Sequence, residues 1–126
     1  MRAGIRCCMP LLLMFAFGFS AASAQLSIQS TRTMDLVYFG KVHEFIVPHL
    51  SRCYLNSRTF ESRLFNYSSQ EKTTVFLQDF GDYGNAGAIS VPRNFIRMEL
   101  APHNYVYETT PANERMNWLM NHETVH

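Results

Sequence analysis

The sequence predicts a small mixed α+β domain preceded by an export signal. Three observations carry that reading. Residues 1–24 have the order of a secretory leader. Short β-branched and aromatic runs alternate with stretches whose apolar residues fall at helical spacing. The chain closes on "NHETVH", Asn121 to His126, at the end of a capped helical segment. A chain of 126 residues holds one domain at most.

The leader comes first. "MRAGIR" supplies two arginines, "CCMPLLLMFAFGF" is an apolar run, and Ala22-Ser23-Ala24 offers a small-residue cleavage site before Gln25. A membrane anchor needs about 18 apolar residues, and this run is shorter. Cys7 and Cys8 precede the apolar run, which argues against a lipoprotein. Sec-dependent export to the periplasm or the extracellular space follows. Removing 24 of the 126 residues leaves 102. The loss of Arg2 and Arg6 moves the formal charge from +1 to −1, which excludes the basic stripe of a nucleic-acid binder. Cys53 is then the one cysteine left, so it closes no internal disulfide and is expected as a small buried hydrophobe. Stability must come from packing or from bound metal.

Within the remainder, "LSIQSTRT" is a polar lead-in. "MDLVYF", residues 34–39, reads as a strand that Gly40 ends. Over residues 41–64 the stripe Ile46, Leu50, Cys53, Ser57, Phe60, Leu64 predicts a long helix, with Arg52, Arg58, Glu61 and Arg63 off the stripe. Pro48 either kinks that helix or marks its true first turn. "TTVFLQDF", residues 73–80, is a second strand. "GDYGNAGA" is a glycine-rich loop or an irregular edge. "FIRMELA", residues 95–101, alternates like a half-buried strand. A connection follows. Thr110 then offers an N-cap, Pro111 suits the first helical position, and Glu114 favours the first turn of a closing helix.

That helix carries the chemistry. His122 and His126 lie four residues apart, so both imidazoles leave one face a turn apart and can reach one tetrahedral Zn²⁺. Glu123 points about 100° further round, where a carboxylate can accept a proton from metal-activated water. H-E-x-x-H is a spacing dictated by that mechanism, and Thr124 and Val125 between the ligands are uncharged. The chain has its own control. "HEFIVPH" also begins His-Glu, but His43 and His49 are six residues apart and fall on different helix faces. They are expected as surface or helix-packing residues.

The segment "ANERMNWLMNHETVH", with "TTVFLQDF" and "GDYGNAGAISVPRNFIRMELAP" before it, resembles the exported peptidase-MA-like, gluzincin-type zinc metallohydrolases. The resemblance runs from about Met34 onward. It implies an incomplete zincin-like domain, with a small sheet, a long helix and a C-terminal HExxH helix. It implies His122 and His126 as zinc ligands, Glu123 as general base and a peptide or protein as substrate. It also implies an edge strand around Asn85 to Ser90, with Asn85, Ala86, Gly87 and Ala88 beside the substrate backbone. In some such bacterial proteins a TolB-like β-propeller follows in the same polypeptide.

One departure qualifies the resemblance. A catalytic zinc site generally has three protein ligands and a water, and in gluzincins the third is a glutamate on a later helix. Nothing follows His126, and the spacing of Asp82, Glu99, His103 and Glu108 argues for none of them. Residues 25–126 are therefore expected to be the N-terminal part of such a domain, truncated at the second ligand, which binds zinc weakly and turns nothing over alone. Two alternatives stay open: a non-catalytic exported scaffold or binding module that keeps the fold, and a small α+β domain without metal.

Overall fold

The computed structural model describes residues 25–79, 85–100 and 112–126, with side chains on the last helix from Arg115 onward. The leader, Phe80, Asp82, the connection 101–111 with His103 and Glu108, and the Thr110–Pro111 cap lie outside the described residues.

Five strands form one sheet in the order β1-β2-β3-β5-β4. The strands are β1 Leu26–Ser30, β2 Met34–Phe39, β3 Thr73–Gln78, β4 Ala86–Ile89 and β5 Phe95–Glu99. The sheet is mixed. β3 lies parallel to both β2 and β5, while β1 and β4 run antiparallel to their neighbours at the two edges. The alternation in the sequence sets the faces: Met34, Leu36, Val75, Leu77, Ile96 and Met98 all point to one side and are buried.

Two helices cover that side. α2, Val47–Leu64, follows the short α1, Gly40–His43, and α3 spans Ala112–Val125. Leu50, Cys53 and Tyr54 of α2 join Met116, Leu119 and Met120 of α3 and the strand residues in one core. Tyr54 pins α2 to the sheet, its hydroxyl donating to the Thr33 carbonyl at 3.1 Å. Among the described residues no helix is long and apolar enough to cross a membrane.

Several expectations need correction. "LSIQS" is a strand and not a lead-in: Ile28 faces Val37 and Leu26 faces Phe39 across the pair. At the turn end of the pair Lys72 donates to Asp35 and Ser30 at 2.7 Å each, which holds the Asp35 carboxyl below its usual range. Gly40 starts α1 as well as ending β2. A Cβ there would sit 3.1 Å from the Gln25 carbonyl, which accepts the Gly40 N–H at 2.9 Å, so the close approach favours glycine. The predicted helix 41–64 is two helices, because Pro48 fits the first turn of α2 and the chain turns over Glu44–Ile46 before it. α2 also buries a different face in its second half. Ser57 of the expected stripe is buried, but Phe60 and Leu64 are exposed and Glu61, expected off the stripe, is buried. Asn66, with φ 51°, turns the chain away just after the helix, where asparagine tolerates the left-handed region.

Candidate metal centre

α3 is amphipathic in a way that aims its motif. Met116, Leu119 and Met120 are buried at i, i+3 and i+4, and Glu123 takes the next position of the same stripe. The stripe that docks the helix therefore ends in a carboxylate, 7% exposed, at the mouth of the helix–sheet layer. With about 100° per residue, His126 lies about 40° from His122 on the helix, and Glu123 lies on the inner side of both. The exposures follow that order. Glu123 is buried, and His122 and His126 are exposed.

The two imidazoles have ring centroids 5.2 Å apart with planes at 76°. Two rings bound through nitrogen at about 2.0–2.1 Å to one tetrahedral ion have centroids about 5 Å apart, a separation this pair shares with an ordinary edge-to-face contact. Trp118, one turn before, stacks on His122 at 5.9 Å and 22° and restricts that ring from the outer side. No cluster of three or more metal-binding side chains occurs among the described residues. Glu99, one of the acidic residues considered for a third ligand, lies on the sheet face opposite the helices. There it accepts from Gln78 Nε2 at 2.6 Å and sits 3.7 Å from Arg97 Nε.

Beside the motif lies a cavity of about 390 Å³, lined by Glu123, Thr124 and Val125 of α3, by His126 just after it, and by Ala88, Ile89 and Ser90. β4 is therefore an edge strand beside the cleft. The sequence alone left open whether this stretch was a loop or a strand. Alternation is weak in "AGAI", and pairing with β5 decides it. Of the four residues assigned to substrate contact, Ala88 lines the cavity. Asn85 accepts the Glu99 N–H at 2.8 Å, Ala86 pairs with Met98, and Gly87 pairs with Arg97 on the far face.

The opposite wall comes from α2 and the turn after it. Arg58 donates to the Tyr54 hydroxyl at 3.2 Å and to the Ser69 carbonyl, and Asn94 Nδ2 donates to Ser69 Oγ at 3.1 Å, which fixes the turn. Nearer the motif, Ser57 and Thr124 both reach Oε1 of Glu61, at 3.1 and 2.5 Å. Sequence reading missed this cluster because it followed the apolar side chains toward Phe60. The signal was present in the positions 47, 50, 54, 57 and 61, which keep helical spacing but change from apolar to polar. His43, expected as a surface or a helix-packing residue, is a buried packing residue, edge-on to Phe39 at 5.8 Å.

Comparison with known protein families, curated proteins and solved structures returns no significant match.

Proposed function

We propose that this chain carries the nucleophile-activating half of an exported, zinc-dependent peptidase with a zincin-like arrangement. The observation that supports it is the paired imidazoles of His122 and His126 at 5.2 Å, with the buried Glu123 beside them on the cavity wall. The third ligand comes from outside the described residues. When bound, zinc supplies a water of lowered pKa, near about 7, and polarises the scissile carbonyl. Glu123 accepts a proton from the attacking water at its carboxylate and returns it to the departing amine. Its burial keeps bulk water from competing for that proton. The edge of β4 offers backbone groups to an extended peptide, which is how strand addition holds a substrate without reading its sequence.

A second reading is a non-catalytic binding module that keeps a zincin-like fold. Metal titration and peptide hydrolysis of three variants decide. His122→Ala and His126→Ala are expected to lose zinc. Glu123→Gln is expected to keep it and, with the third ligand in place, to lower hydrolysis by about 10²–10⁴-fold. Unchanged zinc binding in both histidine variants would refute the metal site. Unchanged hydrolysis in Glu123→Gln would refute the mechanism, whereas zinc binding without hydrolysis in the unsubstituted protein would favour the binding module.

A further inference from the structure

We propose that Glu61 is a positioning residue for the metal helix. Reaching from α2, it holds the hydroxyl of Thr124, and so fixes the rotation of the turn that carries His122 and His126. The inference rests on the reading of that pair as metal ligands.

The geometry on α3 sets up the argument. Thr124 is two residues from each histidine, about 200° round the helix from His122, so it faces α2 while the imidazoles face outward. Its Oγ1 lies 2.5 Å from Glu61 Oε1, 2.5 Å from Ser57 Oγ and 2.7 Å from the Met120 carbonyl. Ser57 Oγ also lies 3.4 Å from that carbonyl. Each hydroxyl has one proton to donate. One allocation is a relay, in which Ser57 donates to Thr124 and Thr124 donates to Glu61. In another, both donate to the carboxylate. Either way a negative group of α2 grips the turn between the two ligands.

That turn needs a grip. A two-histidine site depends on the phase of that one turn. A buried carboxylate is also a poor choice for stability alone. Glu61 is 9% exposed, and an apolar side chain of similar volume at such a seam is often neutral or stabilising. A polar cluster that gains little stability but fixes one rotation belongs to orientation.

The test is zinc affinity, by competition with a chromophoric chelator, together with the cobalt absorption spectrum and the thermal midpoint of the full chain. Glu61→Leu and Thr124→Val are expected to bind zinc about three- to tenfold more weakly, the range of one lost hydrogen bond. Their cobalt spectra shift, while Glu61→Leu melts at or above the wild-type temperature. Thr124→Ser and Glu61→Gln keep a donor and an acceptor and restore wild-type affinity and spectrum. Wild-type affinity and spectrum in Glu61→Leu and Thr124→Val would overturn the inference. So would an affinity loss that simply tracks a loss of Tm across all four variants. If Glu61→Leu does not fold, the near-isosteric Thr124→Val and its Thr124→Ser counterpart decide. A failure of the underlying metal reading shows separately, as wild-type zinc binding in His122→Ala.

Discussion

His43 shows what one residue can do away from the candidate site. It is 2% exposed, its Nδ1 meets no hydrogen-bond partner among the described residues, and it lies against Phe39. Burial pulls its pKa below the ordinary 6.5, and the Asp79 carboxylate opposes this only in part. The folded chain thus holds a neutral imidazole where the unfolded chain takes up a proton. Stability contributed by this residue is present above about pH 6.5, falls as pH drops through that value, and goes on falling until the folded-state pKa is passed. Thermal melts between about pH 7.5 and about pH 5.5 are expected to show a declining Tm that flattens in His43→Leu. An equal decline in the variant would assign the pH dependence to other groups. The "HE" doublet at residues 43–44 differs from the candidate motif in spacing, because six residues separate its histidines. Its burial was not legible, since a lone histidine reads the same on a surface as in a wedge.

At the scale of elements, the sequence exposed most where side chains alternate and least where backbone pairing decides. β2, β3 and β5 are visible in "MDLVYF", "TTVFLQ" and "FIRME" because a half-buried central strand imposes period two. β1 and β4 are edge strands. Leu26 and Ile28 stay exposed, and "AGAI" has no large residue to alternate until Ile89, so neither edge prints a pattern. The second half of α2 misled for a related reason: its buried face turns polar at Ser57 and Glu61 to meet Thr124. Gly87 tests what the edge is for. A Cβ built there meets nothing within 4 Å, so the fold does not require glycine. Gly87→Ala is expected to raise stability by up to about 0.5–1 kcal/mol, through lower chain entropy in the unfolded state, with zinc affinity unchanged. A lower Tm would show that the β4–β5 pairing needs glycine for a reason the packing does not contain.

For the whole molecule, the decisive feature is that both helices share one side of the sheet, so the motif helix is docked by the same core that stabilises the fold. Met120 joins the two. Its side chain is fully buried, and its carbonyl lies 2.7 Å from the Thr124 hydroxyl oxygen one turn on. The candidate metal ligands lie outside that core; their helix takes its place from Met116, Leu119 and Met120. Truncating Met120 should therefore cost twice. Met120→Ala removes buried volume at the centre of the α3 contact, worth about 2–5 kcal/mol. At about 4–8 °C per kcal/mol for a domain of this size, the fall in Tm is large. Trp118→Ala is the matched control, since Trp118 is 63% exposed and its loss should change stability by no more than about 0.5 kcal/mol. Zinc titration of the two separates docking from local contact. Met120→Ala is expected to weaken binding with the melt, as α3 loosens from the sheet. Trp118→Ala should alter binding without the melt, because its ring touches His122 and little else of the core. A Met120→Ala protein that melts like the wild type would mean that α3 is not held by this core. The route from packing to site would then fail at its first step.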